Sequence, residues 1–107
     1  MTFVIDGTAD GLFTAVFNAF LIKKLDAVVT DGGVQLEIDN NVVDVLTNKD
    51  KADRVFKKLQ AILPHSELNK IFTALKSGDN AKYSICFDYI VFTVSKNKDV
   101  SRMFSEP

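Results

Sequence analysis

The first 24 residues constrain the fold most, because they combine a short β-type run, a glycine corner and a long apolar helix pattern. Residues 2–5 are β-branched or aromatic, and they end at Asp6 and Gly7, a pair typical of turns. Thr8 can cap a following helix, whose apolar side chains recur at helical spacing: Leu12, Phe13, Val16, Phe17, Phe20 and Leu21. A helix with so wide an apolar face is unstable alone in water, so we expect the other elements to cover it.

The centre of the chain changes from helical to strand-like periodicity. Apolar and polar residues alternate over 34–38, which is the pattern of a half-buried strand. Residues 39–41 (Asp-Asn-Asn) suit a tight turn, and residues 42–46 return as the partner strand. The pattern therefore predicts an antiparallel hairpin. Residues 27–30 fit a strand and an irregular link equally well.

The second half of the chain has helical periodicity. Thr47 begins a capping-box pattern ahead of an apolar stripe that stops at Pro64. Ser66 can cap the next helix. Residues 83–94 are apolar on nearly all sides, which indicates a central helix covered by its neighbours, although residues 90–94 also have strand character.

Together these patterns predict a single α+β domain over residues 1–98, with 99–107 as the start of a truncated C-terminal region or linker. The predicted parts are an N-terminal strand and long apolar helix, a small antiparallel hairpin or meander, and a helical C-terminal half. We expect Phe17 and Phe56 to be buried on facing stripes of the first two helices.

Composition restricts the classes of function. A net charge of −1 gives no overall attraction to nucleic acid or to anionic membranes. The single cysteine, Cys86, excludes an intrachain disulfide, and the absence of a leader or a membrane-length apolar run predicts a cytoplasmic protein with no membrane partner. The single histidine, His65, lacks neighbours with catalytic or metal-ligand spacing, so we expect neither a metal site nor a cofactor.

Two groups of residues are candidate binding sites, and the first is the corner after the N-terminal strand. Asp6, Gly7 and Thr8 place a carboxylate beside a helix N-terminus, as in the ligand corners of α/β folds. The glycine spacing fits no phosphate loop, which favours a structural corner. Gly11, inside the helix, indicates close approach of another element.

The second candidate is a basic face on the second helix, formed by Lys51, Arg54 and Lys58 at helical spacing. Basic side chains opposite an apolar stripe usually form a solvated surface. The functional alternative is weak, non-specific binding to successive DNA phosphates.

The stretch from Phe3 to Phe17 reads Phe-x-x-Asp-Gly-Thr-x-x-Gly-Leu-x-Thr-Ala-Val-Phe. It resembles the opening of a bacterial family labelled as probable DNA metabolism proteins of unknown function. Thr47 with the Lys-Ala-x-Arg-Val run at 51–55 is similar to that family's second signature, and residues 66–72 resemble its third helix. The resemblance covers nearly the whole chain, but only the N-terminal part of the family's domain.

Family members are typically encoded beside a radical SAM protein, and some are fused to a uracil-DNA glycosylase, whose chemistry belongs to that separate domain. The resemblance therefore implies a non-catalytic accessory or nucleic-acid-associated module of a larger DNA-metabolism protein. One alternative is a module that docks the partner radical SAM enzyme, with the stretch after Lys98, including Met103 and Phe104, packed on a neighbour. Another is a fragment of an active site completed by the missing C-terminal region.

Overall fold

The computed structural model describes residues 1–32 and 41–96. Along the chain its elements are β1 (Thr2–Val4), α1 (Ala9–Ile22), β2 (Val28–Thr30), β3 (Val42–Asp44), α2 (Lys49–Ile62), α3 (His65–Leu75) and α4 (Lys82–Ser95). The general α+β character agrees with the sequence-based expectation, but the arrangement of the strands does not.

The sheet is parallel, with β1 between β2 and β3. Residues 42–44 pair with β1 in the same direction, so the predicted antiparallel hairpin or meander is wrong; its expected first strand, 34–38, lies outside the described residues. Alternation predicts where a strand lies, but the partner is chosen by long-range packing. β1 is the central strand of this sheet, and Phe3 and the Ile5 that follows the strand are both buried.

The first helix is also not the long apolar helix that was predicted. It has 14 residues, the same number as α2 and α4. Its buried side includes Gly11 and Thr14, whereas Leu21, taken as part of the apolar face, is exposed. Lys23 adopts a left-handed conformation (φ 59°) and its N–H bonds to the Ala19 carbonyl, which ends the helix.

The final helix, α4, is a helix throughout and is the central packing element. Phe87, Ile90 and Val94 are fully buried, and the Phe87 ring meets Phe3 edge-on with 6.2 Å between centroids. The strand alternative for residues 90–94 is therefore not adopted. The prediction that neighbours cover α4 on all sides is wrong, because one face of the helix remains exposed.

The helix α4 also covers the outer edge of β2 through one hydroxyl group. Ser84 Oγ accepts a hydrogen bond from the Val29 N–H (2.8 Å) and donates one to the Val29 carbonyl (3.1 Å). The backbone N–H and C=O groups of Val28 and Thr30 point toward β1. Those of Val29 therefore point away from β1, toward the outer edge of the sheet. The serine thus satisfies both of them.

Two helix caps differ from the predictions by one or two residues. The N-cap of α2 is Asn48, whose Oδ1 accepts from the Lys51 N–H at 3.0 Å, and not Thr47. The helix α3 begins at His65 after Pro64, without a side-chain cap bond. Ser66 lies inside its first turn.

Phe17 is buried as predicted, but the prediction is wrong for Phe56, which is half-buried. The Phe56 ring stacks on Phe13 (6.0 Å between centroids) and meets Phe72 of α3 edge-on (6.1 Å). The apolar face of α2 therefore packs on both α1 and α3, and one side of Phe56 lies near the surface between them.

Candidate functional site

The predicted corner lies at the carboxyl ends of the strands, where α1 and α2 both begin. Asp6 Oδ1 accepts hydrogen bonds from the Thr8 N–H (3.0 Å) and from the Thr8 hydroxyl. Asp6 Oδ2 accepts from the Thr47 hydroxyl at 2.7 Å. Thr8 Oγ1 in turn accepts from the Gly11 N–H at 2.9 Å, which is the N-cap bond of α1.

These bonds explain why a glycine occurs inside α1. A Cβ placed on Gly11 would collide with the Asp6 carboxylate and crowd the Thr47 hydroxyl. The sequence predicted close approach of another element at this position. The group that approaches is a carboxylate from the loop just before the helix.

Hydrogen bonds from Thr8 and then Thr47 lower the pKa of Asp6 below its ordinary value of 3.8. The carboxylate is therefore an anion at the start of α1, in the place where α/β folds often hold a ligand anion. Tyr83 of α4 closes the same corner with a longer contact from its hydroxyl to the Gly7 carbonyl (3.4 Å), and burial, followed by the nearby Asp31, raises the pKa of Tyr83.

The side chains of Asp6 and Thr8 join β1, α1 and the link between β3 and α2. A ligand at this corner stays a prediction.

The three basic residues of α2 do not form an open row of charges. Lys51, Arg54 and Lys58 are all half-buried. The Lys51 ammonium donates to Asn18 Oδ1 of α1 at 2.9 Å and lies 5.6 Å from the centroid of the Phe17 ring. One of the three charges is therefore directed onto the neighbouring helix, and DNA binding by this face stays a prediction.

The lone histidine and the lone cysteine lie in different environments. His65 is the exposed first residue of α3. Cys86 is buried, and burial raises the pKa of its thiol. Among residues 1–32 and 41–96, no three His, Cys, Asp or Glu side chains are grouped so that they could hold a metal ion.

A cleft of about 250 Å³ lies at the first turns of α1 and α2, where Phe13, Phe56 and Phe72 meet. Its charged rim is already paired, since the Lys49 ammonium lies 3.1 Å from Asp53 and 3.9 Å from Asp10. The cleft therefore presents aromatic edges beneath an exposed ion pair.

The outer face of α4 differs from all of these places, because it carries large apolar side chains that the fold does not cover. Ile85, Tyr89 and Phe92 recur at i, i+4 and i+7 and are 57%, 38% and 59% exposed. We call these three residues the α4 stripe. They lie on successive turns of one side of the helix, opposite its buried face.

A groove of about 260 Å³ between α3 and α4 adjoins this stripe. We call it the α3–α4 groove, and its apolar lining is formed by Ile71, Ala74, Ile85, Cys86 and Tyr89. Glu67 and Lys70 stand at its rim and pair with each other at 3.1 Å. A concave apolar surface thus lies directly beside a row of protruding apolar side chains.

Sequence reasoning did not identify this surface, although a signal was present. The apolar residues of 83–94 form two stripes, and only one of them can face the core of a domain of this size. A second stripe at i, i+4 and i+7 indicates a second apolar contact of the same helix.

Comparisons of the chain with protein-family models, curated proteins and solved structures find no significant match. Membership of the DNA-metabolism family therefore stays a prediction. Within the part of the chain that the structure describes, no helix combines the length and the apolar character needed to cross a bilayer.

Proposed function

We propose that this chain is a non-catalytic protein-binding module whose working surface is the α4 stripe together with the α3–α4 groove. The observation that carries the proposal is the exposure of Ile85, Tyr89 and Phe92 on one face of a helix whose opposite face is the centre of the core. Single exposed apolar residues are ordinary, but a contiguous row beside an apolar groove is typical of an interaction site.

The magnitude of the exposed area supports a contact of modest strength. The three side chains leave roughly 300 Å² of apolar surface in water, which corresponds to about 7 kcal/mol of gross transfer free energy if fully covered. Association costs at least about 4 kcal/mol in lost rigid-body freedom. The stripe alone therefore supports weak binding, and contacts in the groove would strengthen it.

At the corner of Asp6 and Thr8 and on the basic face of α2, polar groups are already bonded within the protein, unlike the side chains of the α4 stripe. The polar groups of Asp6 and Thr8 are used within the corner, and Lys51 is bound to Asn18. A partner surface that covers the α4 stripe gains apolar burial without displacing a protein hydrogen bond. Nucleic-acid association and docking of a radical SAM enzyme, which the family resemblance implies, stay predictions.

The proposal can be tested by site-specific photocrosslinking in cells. A benzophenone side chain replaces Phe92, and in a matched protein it replaces Leu46, which is 85% exposed and follows β3, the strand at the opposite edge of the sheet from β2. We expect discrete protein adducts at position 92 and none above background at position 46. We expect Ile85→Glu to remove the adducts at position 92.

Equal or absent adducts at the two positions would contradict the proposal. Persistence of the adducts in the Ile85→Glu protein would show that the α4 stripe is not the contact surface.

A further inference from the structure

We infer that the α4 stripe and the α3–α4 groove are covered reversibly by the stretch of this chain that follows α4, residues 99–104, which we call the post-α4 segment. These residues lie outside the described part of the chain, which ends at Lys96. A protein partner then has to displace the segment before it can bind. This regulatory role rests on the proposed function, whereas the contact itself is a property of the purified chain.

The post-α4 segment carries apolar side chains that suit such a surface. Val100, Met103 and Phe104 recur at i, i+3 and i+4, the spacing of one side of a helical turn. Phe92 lies one turn of α4 before Lys96, so the stripe begins beside the point from which the segment continues. The segment and the stripe are therefore two apolar surfaces joined by a few residues of chain.

The reach of the segment matches the length of the stripe. Residues 97–99 (Asn-Lys-Asp) include two residue types that favour a reversal of chain direction. From a reversal at the end of α4, an extended chain that runs to Phe104 covers about 17 Å, which is the rise of about 11 helical residues and ends at Ile85. A helical chain covers about 7.5 Å and ends near Phe92. In either conformation Phe104 lies alongside the stripe.

The modest size of the surface favours a tethered occupant. The exposed side chains of the stripe supply less than half of the about 800 Å² that each partner buries in a standard interface. A segment joined to α4 does not lose the rigid-body freedom that two separate molecules lose when they associate. A short tether gives an effective concentration on the order of mM, at which a weak contact is populated.

The groove and a neighbouring charge fit the same segment. A closed cavity of about 150 Å³ accommodates benzene, and the groove measures about 260 Å³, so it has room for the Phe104 ring. Asp88 is exposed on α4 directly before Tyr89 of the stripe. Arg102 lies between the apolar residues of the segment and brings a cation toward that carboxylate, a contact that adds little strength at an exposed position.

Cover by the segment regulates the proposed binding surface. The apparent affinity of a partner falls in proportion to the fraction of chains whose stripe is uncovered. The surface is then protected from non-specific apolar contacts in the isolated chain. A partner with a larger complementary surface displaces the segment.

The contact can be tested in the purified full chain by fluorescence. The sequence contains no tryptophan, so Phe104→Trp introduces a single indole. We expect a blue-shifted emission and a loss of quenching by acrylamide, both independent of protein concentration, because the indole lies in the groove of its own chain. Adding Ile85→Glu should shift the emission to that of a water-exposed indole and restore quenching. Adding Leu46→Glu, an equally polar change at an exposed leucine after β3, should alter neither.

The regulatory role can be tested with the protein that carries benzophenone at position 92. We expect Met103→Ser/Phe104→Ser to increase its adducts in cells, because the segment no longer covers the stripe. Ser101→Ala/Ser105→Ala changes polar positions in the same part of the sequence and should leave the yield unchanged. Far-UV circular dichroism checks that every variant keeps its helices.

A Phe104→Trp indole that is exposed, or whose emission does not respond to Ile85→Glu, would overturn the inference. Protection that increases with protein concentration would also overturn it, because the segment would then dock on another molecule. Adducts at position 92 together with an exposed indole would leave the proposed function intact without this regulation. A protected indole with no adducts at position 92 would retain the contact and contradict the proposed function.

Discussion

The corner at the carboxyl ends of the strands and the outer face of α4 are opposite kinds of surface. At the corner, an exposed carboxylate has its hydrogen bonds satisfied by Thr8 and Thr47. On α4, Ile85 and Phe92 are more than half exposed. What distinguishes α4 is that its exposed apolar side chains adjoin one another and an apolar groove.

The largest expected effect tests whether the corner is structural. Gly11→Ala at an interior helix position would ordinarily stabilise by about 1 kcal/mol. Here the added methyl group must displace the Asp6 carboxylate and its hydrogen bonds, so we expect a loss of about 1 kcal/mol in the free energy of unfolding, a difference of about 2 kcal/mol from the ordinary outcome. Urea denaturation of the wild type and of Gly11→Ala measures this change.

The control for this substitution is the pair Asp6→Ala and Asp6→Ala/Gly11→Ala. Once the carboxylate is gone, alanine at position 11 should cost nothing or stabilise, which gives a large coupling free energy in the double-mutant cycle. If the two substitutions had additive effects on the free energy of unfolding, Asp6 would not be the group that requires a glycine at position 11.

A second effect concerns the carboxylate itself. Asp6→Ala removes the acceptor for Thr8 and Thr47, and we expect a loss of about 1–2 kcal/mol, because the side chain is exposed. The lowered pKa of Asp6 means that its contribution is complete above the ordinary value of 3.8 and is lost as the pH falls through the lower, folded-state pKa.

Thermal melts of wild type and Asp6→Ala between pH 7 and pH 2 measure that contribution. The two melting temperatures should converge at acid pH. If the two melting temperatures differed by the same amount at every pH, the stabilisation by Asp6 would not depend on the ionisation of its carboxyl group.

On the other surface we expect almost no effect on stability. Phe92→Glu replaces an exposed ring on α4 and sets a carboxylate four residues before Lys96, so its free energy of unfolding should stay within about 0.5 kcal/mol of wild type. A loss of several kcal/mol in urea denaturation would place Phe92 in the monomer core and remove the contrast between the two surfaces.

The smallest expected effect is on DNA binding by the face of α2. Because Lys51 is held by Asn18, a log–log plot of affinity against salt should have a slope no steeper than about −2. Fluorescence titration at low salt compares wild type with Lys51→Glu/Arg54→Glu/Lys58→Glu, and Lys24→Glu serves as a single-charge control at an exposed lysine outside α2. Equal DNA affinity of the wild type and the triple variant would exclude the basic face of α2 as a DNA-binding site.

The sequence predicted local structure well where local chemistry decides it. The strand at the N-terminus, the cap at Thr8 and the positions of the four helices all follow from periodicity and turn residues. The stop of α2 at Pro64 follows in the same way. In each case the deciding residues lie within a few positions of one another.

The errors involve partners that are distant in the chain. Residues 42–44 pair with β1, some 40 residues earlier, and alternation carries no information about that choice. Thr47 was assigned to cap α2, but its hydroxyl bonds to Asp6, and Asn48 became the cap. The exposed stripe of α4 depends on which side of the helix the domain covers, which only the packed structure decides.

The Ser84 hydroxyl has a consequence for how this sheet can be extended. Since it occupies both outward backbone groups of Val29, no further strand can join beside β2 without removing α4 from that edge. A strand inserted or fused in an engineered variant would therefore be rejected beside β2, and Ser84→Ala would leave the two outward backbone groups of Val29 without their partner.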